Sequence, residues 1–410
     1  MKRYVIIGNG VAAVNCIEGI REKDGKGKIT VISEEKHEVY CRPLISYYLD
    51  GKTDLKRMRY RDADFPKLMG CDILYGKKAV RIDEKARKVY MDDGEALPYD
   101  ALCVATGSSP FVPDIKGLEK VEKKFCFTTL DDALKLEKAI DEKTRVLIIG
   151  AGMIGLKCAE GIRGRVSAVT VCDMADRILP TFLDAECAAY LQRRLEEHGI
   201  SFILKDSVEE FSSGRALLRS GSSAEFNVLV LAVGSRANAS LVRDIGGKGE
   251  RGIAVDGHMR TSVSGIYAAG DCTESLDVSS GQIKPLSNLP NAAIQGYTAG
   301  ANMAGGDEVF DTAVMMNSIG FFGLHCMTAG TYEGDMYEEK TDSSVKRLFT
   351  KDDRLKGFVL IGCEDRAGIY TSMIRNCTPV SSVDFETMKK AATMTAFSKD
   401  IRKKVLGGIQ

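Results

Sequence analysis

The sequence predicts an α/β fold with two Rossmann-like, doubly wound domains and a small α+β domain at the C-terminal end. Three observations predict it. A glycine-rich turn between an apolar strand and a helix occurs twice, about 140 residues apart. A second strand-and-turn pattern repeats after each of these turns, and the last hundred or so residues contain neither pattern. A chain of 410 residues is too long for one typical core, so two to three domains are expected.

The first glycine-rich turn follows the apolar run Val5–Ile7 and has the form Gly8-x-Gly10-x-x-Ala13. In a dinucleotide fingerprint the first glycine permits the tight turn, the second lets backbone approach a pyrophosphate, and the third small residue lets helix pack on strand. The next strand ends at the acidic pair Glu34 and Glu35. Glu34 lies about 20 residues beyond the turn, where a carboxylate binds a ribose hydroxyl. An ordinary glycine turn is the alternative interpretation.

Short alternating runs follow: CDILYG, KAVRID and KVYMDDG predict antiparallel strands. The segment ALCVATGSSP (101–110) predicts a strand that ends in a Thr-Gly-Ser turn, and Pro110, Pro113 and Gly117 predict a linker. A helix is predicted from Leu130 to Ile140.

The second fingerprint is Gly150-x-Gly152-x-x-Gly155, and the strand after it ends at Asp173. A carboxylate there favours a free ribose 2′-hydroxyl, hence NAD(H) over NADP(H). Arg177 lies nearby in sequence and is the residue that could hold a 2′-phosphate instead.

The segment LVLAVGSRAN (229–238) repeats the pattern of LCVATGSSP, so whole nucleotide-binding units are duplicated. Two fingerprints imply two dinucleotides, which suggests FAD together with NAD. We expect an FAD-binding domain from 1–112 and 245–311, an NAD-binding domain at 113–244, and an α+β domain at 312–410. In the last of these, VKRLFT and KDDRLKGFVLIG predict strands, and a helical stretch ends in SKDIRKKVLGG.

Composition excludes several classes of function. Lys plus Arg and Asp plus Glu both number 57, so no global charge favours nucleic acid. No apolar run approaches the roughly 18 to 20 residues that span a bilayer. The twelve cysteines show no C-x-x-C or C-x4-C spacing, which argues against a metal site and against a redox dithiol. Unpaired thiols in this number are typical of a reducing cytoplasm.

The ordered set GNGVAA, RP, VATGSSP, GAGMIG, AVGSRAN, YAAGDC and NAAIQGYTAGANMAG resembles the flavoprotein oxidoreductases with two dinucleotide-binding domains, the pyridine nucleotide-disulfide oxidoreductase-like family. The resemblance covers essentially the whole chain. Within the family, the chain looks most like the branch of NADH:rubredoxin and ferredoxin reductases and NADH oxidases.

The resemblance implies FAD in the first domain and a positive helix end at the flavin pyrimidine ring. Asp271 would bind the ribityl chain or phosphate, although a turn residue after a strand is the alternative interpretation. The residues expected to bind FAD are Gly8, Gly10, Ala13, Glu34, Arg42, Pro43, Val80, Thr106, Gly107, Asp271, Gln295 and Gly296. Those expected to bind NAD are Gly150, Gly152, Ile154, Gly155, Asp173 and Gly234.

Two positions depart from the pattern of many relatives, which pair a Glu near the nicotinamide with a Lys after the Arg-Pro segment. Lys157 and Tyr47 occupy those places here. We hypothesise that Lys157 lies at the flavin–nicotinamide junction and shifts the flavin potential, because a nearby cation favours the anionic reduced form. An exposed helix lysine is the alternative.

Cys41 directly precedes Arg42-Pro43, roughly where single-cysteine relatives place a redox thiol. It is therefore a candidate for a catalytic cysteine, with a structural thiol as the alternative.

The resemblance implies an FAD-dependent NAD(P)H oxidoreductase, with NADH preferred, that exchanges electrons in either direction with a rubredoxin or ferredoxin-like iron–sulfur protein. One alternative is a Cys41-dependent NADH oxidase, peroxidase or coenzyme A-disulfide reductase. The other is a flavoprotein subunit with mainly an interaction or redox-sensing role. The expected assembly is a homodimer or a subunit of a redox complex, and the sequence leaves the two open. An acidic carrier would dock on basic residues, for which Lys52–Arg61 and Arg402–Lys404 are candidates, although charged runs are often solvated faces.

Overall fold

A computed structural model describes residues 1–406, the side chains of 404–406 excepted. The strands are, in chain order, β1 (Arg3–Ile7), β2 (Lys28–Ser33), β3 (Cys71–Tyr75), β4 (Ala79–Asp83), β5 (Lys88–Met91), β6 (Ala96–Pro98), β7 (Ala101–Val104), β8 (Ser108–Pro110), β9 (Lys124–Phe125), β10 (Arg145–Ile149), β11 (Ala168–Asp173), β12 (Ile200–Leu204), β13 (Val208–Ser212), β14 (Arg215–Leu218), β15 (Ser223–Glu225), β16 (Val228–Leu231), β17 (Ser235–Ala237), β18 (Ile253–Ala254), β19 (Ile266–Ala268), β20 (Thr273–Asp277), β21 (Gln282–Lys284), β22 (Met316–Phe321), β23 (Leu324–Gly330), β24 (Asp335–Lys340), β25 (Val345–Lys351) and β26 (Arg354–Ile361).

The α-helices are α1 (Val11–Lys23), α2 (Ile45–Leu49), α3 (Phe65–Leu68), α4 (Leu130–Ala139), α5 (Met153–Ile162), α6 (Ala185–Glu197), α7 (Ser240–Arg243), α8 (Leu289–Met303), α9 (Ala367–Arg375), α10 (Phe385–Lys390) and α11 (Lys399–Leu406). Four predicted helices are confirmed. They are the two that follow the fingerprints, the one that begins at Leu130 and the one predicted from Asn291.

The first sheet has the order β19-β7-β1-β2-β3 and is parallel throughout. Its strands come from two separate stretches of the chain, as the expected discontinuous domain requires, while the exact boundaries stay a prediction. The antiparallel prediction for CDILYG was wrong, because β3 pairs parallel to β2. An edge strand of a parallel sheet is partly exposed, so its pattern alternates as an antiparallel strand does.

The second sheet, in the order β12-β11-β10-β16-β9, repeats the parallel arrangement around β10. The repeated turn segments form the connections between the two sheets. Their short strands β8 and β17 pair antiparallel, and Thr106 Oγ1 donates to the carbonyl of Asn238 at 2.8 Å. The Asn238 side chain donates back to the carbonyl of Thr106 at 2.9 Å. The two copies of the duplicated motif therefore lie against each other.

The C-terminal part is an antiparallel sheet in the order β22-β23-β26-β25-β24, with α9 packed on it. The strands predicted from VKRLFT and KDDRLKGFVLIG are confirmed as β25 and β26. Among the described residues, none of the helices is both long and apolar enough to cross a membrane.

Helices α1 and α8 cross at glycines. A Cβ atom on Gly300 would lie 2.0 Å from the carbonyl oxygen of Cys16, and one on Gly19 would lie 2.3 Å from that of Tyr297. Both obstacles are backbone atoms of a packed helix, which cannot move aside without shifting the whole element. The two helices are thereby fixed on the same face of the first sheet.

We expect Gly300→Ala to lower the free energy of unfolding by about 1–3 kcal/mol, because the added methyl overpacks the helix crossing. The same substitution at Gly368 in α9 is the control, since a Cβ there would meet no atom within 4 Å. Alanine is the better helix former by about 1 kcal/mol, so Gly368→Ala should be neutral or stabilising. Thermal and urea unfolding measure both. Equal stability of the two variants would contradict the tight crossing.

Candidate functional site

Three turns meet at the carboxyl edge of the first sheet. Gly8 follows β1, Thr106 and Gly107 lie just after β7, and Gly270 with Asp271 lies just after β19. These three strands are neighbours, so their turns lie side by side at the edge where doubly wound sheets bind ligands. Gly8 has φ +109°, and a Cβ there would lie 2.1 Å from the carbonyl oxygen of Ala105. Only glycine permits this approach of the first two turns.

The open side of this edge fits a polar ligand. A Cβ on Gly10 or Gly107 would meet no protein atom within 4 Å, so backbone is accessible at both positions. Asn9, between the two fingerprint glycines, buries its side-chain oxygen and nitrogen without a hydrogen-bond partner among the described residues. Because an unsatisfied buried amide is costly, the turn suits a group that hydrogen-bonds to it, such as a dinucleotide phosphate or ribose.

Arg42 is held at this edge by several oxygen atoms. Its guanidinium pairs with Glu35 and donates to the carbonyl of Thr128 at 3.1 Å. The Tyr40 hydroxyl donates to the other oxygen of Glu35 at 2.7 Å. Burial raises the pKa of Asp271, and the nearby Arg42 opposes that rise. The site thus presents a fixed cation close to Asp271, as expected where a charged phosphate binds.

The acidic pair at the end of β2 divides into two roles. Glu35 is the partner of Arg42, a role the sequence did not reveal. Glu34 is largely exposed and pairs with Lys78 at 2.8 Å. Val80 lies two residues after Lys78, in β4, and exposes 48% of its surface, which is unusual for valine in a strand. Ribose binding by Glu34 stays a prediction, and its carboxylate is accessible for it.

The middle of α8 supports the Gly270 turn. Gln295 is buried, and its side-chain oxygen accepts the backbone N–H of Gly270 at 2.8 Å. A Cβ on Gly296 would lie 2.1 Å from the carbonyl oxygen of Ala12. In the structure these two residues hold the turn and the helix crossing in place. Their direct contact with FAD stays a prediction.

The second fingerprint repeats this geometry at β10. Gly150 has φ +112°, and its Cβ would lie 2.3 Å from the carbonyl oxygen of Ala232. A Cβ on Gly155 would lie 2.0 Å from Gly150, while Gly152 and Gly234 face open space. Ile154 lies in the first turn of α5 and is partly buried. The same arrangement is therefore present twice: a glycine turn after the central strand of the sheet, with accessible backbone. We call each of these turns a backbone cradle.

The carboxylate of Asp173 accepts backbone hydrogen bonds at the turn of the second fingerprint. One carboxylate oxygen accepts the N–H of Ala151 at 2.6 Å and the other accepts that of Ala175 at 2.8 Å. Arg177, the alternative phosphate-binding residue, donates to the carbonyl of Leu183 and pairs with Asp176. Because its charge is already balanced, this arginine is less available for a 2′-phosphate.

The segment after Arg42-Pro43 meets α5 at a buried charge pair. The Lys157 ammonium lies 4.6 Å from the ring centre of Tyr47 and pairs with Glu160 one turn further along α5. It also donates to the carbonyl of Gly320 at 3.1 Å, and Glu160 accepts the N–H of Phe322 at 2.8 Å. The exposed-helix interpretation of Lys157 was therefore wrong. Glu160 was missed, and its spacing from Lys157 on one helix face was the available signal.

Cys41 lies beside Arg42 but does not have the surroundings of a reactive thiolate. Its side chain is half-buried, and burial raises the pKa of the thiol. At neutral pH the protonated form is favoured, whereas redox-active cysteines need a lowered pKa. All twelve cysteines, which lie within the described residues, are free thiols.

The basic segment 52–61 is mostly neutralised by neighbouring acids. Lys52 pairs with Asp50 at 2.5 Å, and Arg61 pairs with Glu18 at 2.8 Å. Arg57 and Arg59 are paired as well, with Asp54 and Glu38 respectively. The side chain of Lys404, in the second candidate patch, lies outside the described residues. Docking at either segment stays a prediction.

Comparison with known proteins gives a family match and related sequences. Residues 2–296 match the family model of the pyridine nucleotide-disulphide oxidoreductases. Subunit epsilon of an NADH-dependent phenylglyoxylate dehydrogenase from Aromatoleum evansii is 29% identical, over 92% of this chain and 93% of its own length. An NADH oxidase from Methanocaldococcus jannaschii is 31% identical over 88% of each chain. The ferredoxin–NAD(+) reductase subunit of a Pseudomonas putida benzene 1,2-dioxygenase system is 30% identical over 80% of each.

Two relatives from Bacillus subtilis are longer, and the chain spans 48% and 49% of their lengths. Among solved structures, the covalent putidaredoxin reductase–putidaredoxin complex matches with a TM-score of 0.87. That match covers 99% of this chain and 98% of the other at 22% identity. At this identity it shows the fold alone, and it confirms the predicted fold class.

The ligand-binding role of the unsatisfied Asn9 amide can be tested by substitution. We expect Asn9→Ala to leave the apoprotein at least as stable, because an unpaired buried polar group is removed. It should weaken FAD binding about tenfold, the equivalent of one hydrogen bond. Thermal unfolding of the apoprotein and titration of flavin fluorescence measure the two effects.

Asn15 in α1 supplies the matched control. Its amide is satisfied by the carbonyl of Val11 at 2.8 Å and by Tyr60. Asn15→Ala should therefore lower stability and leave FAD affinity unchanged. The same response from both variants would mean that Asn9 has no ligand-binding role.

Proposed function

The chain belongs to the pyridine nucleotide-disulphide oxidoreductase family, and from that membership we propose that it is an FAD-dependent NADH oxidoreductase. It exchanges electrons with a one-electron carrier, an iron–sulfur protein of the ferredoxin or rubredoxin type. The observation that carries the proposal is the pair of backbone cradles joined by the β8–β17 contact, with only free thiols and no disulfide beside them. When bound, FAD takes two electrons from NADH and can release them one at a time.

The carrier is supported by chemistry and by a relative. A disulfide substrate of this family needs a thiol at the flavin, and the cysteine beside Arg42 is a protonated, half-buried thiol. The Pseudomonas putida relative is named a ferredoxin–NAD(+) reductase subunit. An outer-sphere electron carrier requires only that the flavin edge be reached, with no residue of this chain forming a covalent bond.

NADH is preferred over NADPH in this proposal. Asp173 carries a carboxylate at the end of β11, where a 2′-phosphate would be repelled. Arg177 is engaged by Leu183 and Asp176 and is not free to offset that repulsion.

In this proposal Lys157 and Tyr47 lie at the junction of the two sites, and their contact supports it. Tyr47 follows the Arg42 segment of the first cradle, and Lys157 lies one turn inside the helix of the second. Their contact orients α5 against the segment that borders the FAD site. The cation also contributes a positive potential there, which favours electron-rich states of a neighbouring flavin.

A Cys41-dependent NADH oxidase is the second candidate function. The observation in its favour is the position of the thiol beside Arg42, together with the Methanocaldococcus jannaschii NADH oxidase among the relatives. A subunit role is the third candidate, and the Aromatoleum evansii relative is named a subunit.

The proposed function is tested by anaerobic mixing with NADH, followed by comparison of acceptors. We expect NADH, more than NADPH, to bleach the bound flavin. Rubredoxin or ferredoxin should then be reduced faster than oxygen, peroxide or coenzyme A disulfide. Cys41→Ser should retain the carrier rate, because no thiol chemistry is involved. Turnover that vanishes in Cys41→Ser and occurs only with oxygen, peroxide or coenzyme A disulfide would establish the second candidate. A flavin that NADH does not bleach would establish the subunit role.

Removal of the junction cation gives a separate prediction. We expect Lys157→Ala to raise the KM for NADH and to make the flavin harder to reduce, because the positive potential is lost. Glu160→Gln is the control: it removes the buried partner and lowers stability, but it keeps the cation at the junction. Kinetics with NADH and a dye-equilibrium measurement of potential distinguish them. An unchanged KM for NADH and an unchanged flavin potential in Lys157→Ala would show that Lys157 does not belong to the site.

A further inference from the structure

The loop between β2 and α2 holds Tyr40 close to Arg42. The backbone of Tyr40 pairs with that of Arg59 as an isolated antiparallel bridge. Directly after it, the N–H of Cys41 donates to the carbonyl of Met58 at 2.8 Å. The loop therefore fixes the place from which the Tyr40 side chain extends.

The Tyr40 hydroxyl uses every hydrogen-bonding position that a hydroxyl has. It donates to one oxygen of Glu35 at 2.7 Å, and it accepts the N–H of Leu130 at 2.8 Å and Nη1 of Arg42 at 3.2 Å. One donor and two acceptor positions are thereby occupied. Burial raises the pKa of Tyr40, so the hydroxyl stays protonated at neutral pH and remains a donor to Glu35. This one atom links the Glu35–Arg42 pair to the first turn of α4.

The same contacts leave part of the Arg42 guanidinium available. Of the five N–H groups of a guanidinium, the two on Nη1 donate to the Tyr40 hydroxyl and to the carbonyl of Thr128. One group on Nη2 pairs with Glu35. Among the described residues, no oxygen accepts from Nε or from the second N–H of Nη2. Two adjacent N–H groups of this kind are what a phosphate accepts when it pairs with arginine in a bidentate manner.

The Glu35 carboxylate alone would not determine where these two N–H groups point. A carboxylate and a guanidinium attract each other in several relative orientations, and a phosphate at this edge of the sheet would compete with Glu35 for the cation. A neutral hydroxyl and a carbonyl orient the guanidinium without cancelling more of its charge. Because Tyr40 bonds to both members of the pair, it holds them in one orientation.

We propose that Tyr40 is a positioning residue, whose hydroxyl orients the guanidinium of Arg42 so that Nε and Nη2 are available to a phosphate of FAD. The inference rests on the proposed function, in which FAD is the cofactor. It deepens that function because Arg42 is an expected FAD-binding residue, whereas Tyr40 is not. Tyr40 acts through Arg42 and needs no contact with FAD. Since the same hydroxyl accepts from Leu130, the phosphate site is attached to a helix of the expected NAD-binding domain.

The test is fluorescence titration of the apoprotein with FAD. Tyr40→Phe removes the hydroxyl and keeps the ring, whose centre lies 5.4 Å from the guanidinium carbon of Arg42. FAD affinity should fall about tenfold, as expected when one hydrogen bond to a charged group is lost. If Tyr40→Phe does not fold, Tyr40→Met is a second variant without the hydroxyl.

A double-mutant cycle with Arg42→Gln shows whether Tyr40 acts through Arg42. In the Arg42→Gln background the hydroxyl has no guanidinium to orient, so Tyr40→Phe should leave FAD affinity unchanged. A loss of equal size in both backgrounds would show a merely structural contribution of Tyr40, and it would overturn the inference.

Tyr48→Phe is the matched control. The Tyr48 hydroxyl donates to Glu137, also on α4, at 2.9 Å, and it is not bonded to Arg42. This variant should lower the thermal stability of the apoprotein and leave FAD affinity unchanged. A loss of FAD affinity as large as that in Tyr40→Phe would overturn the inference, because loosening α4 would then be sufficient.

The inference and the proposed function fail in different ways. Unchanged FAD affinity in the folded variant at position 40, with the flavin still bleached by NADH, overturns the role of Tyr40 and leaves the proposed function intact. A chain that takes up no FAD overturns both.

Discussion

Helices α1 and α8 cross so closely that only glycine fits at their points of contact. Gly19, Gly296 and Gly300 each bring backbone of one helix against backbone of the other. Three glycines in helices are intrinsically unfavourable, at about 1 kcal/mol each. The crossing offsets this conformational cost, because it fixes both helix N-termini at the same edge of the first sheet. One helix carries the fingerprint and the other supports the Gly270 turn, so the site depends on this crossing.

The duplication explains why the fold contains two such sites. Each unit has a fingerprint after its central strand and a glycine turn after the neighbouring strand. The second turns of both units pair through β8 and β17, with Thr106 and Asn238 exchanging hydrogen bonds. The connections between the sheets are thus part of the sites themselves. Because these contacts join the turns of the two units directly, they keep two bound dinucleotides in a defined relation.

Sequence predicted the features that have a single local cause. Gly8 and Gly150 are required by positive φ and close backbone approach, so their pattern was sufficient. The resemblance singled out Lys157 and Tyr47 as the positions of a pair, and in the structure the ammonium lies over the Tyr47 ring. The pairing of Glu35 with Arg42, the orphaned amide of Asn9 and the contact of Tyr40 with Leu130 were not predicted. The first depends on a loop that returns to the strand end, and the last joins residues 90 positions apart. Neither has a local periodicity that a single sequence could show.

The distribution of paired and unpaired polar groups separates stability from function in this protein. Arg347 joins β25 to the start of α6 through two acids, Asp184 and Glu186, and Lys157 and Glu160 join α5 to the β22–β23 hairpin. These balanced groups attach the C-terminal sheet to the second unit. Asn9, in contrast, buries a neutral amide that has no hydrogen-bond partner among the described residues, in the turn after β1. Removing a balanced charge leaves its partner buried and costs stability, whereas removing an unbalanced group relieves the apoprotein. A buried amide that weakens the apoprotein is accounted for by a ligand that hydrogen-bonds to it, and a dinucleotide phosphate or ribose bound at the turn after β1 would do so.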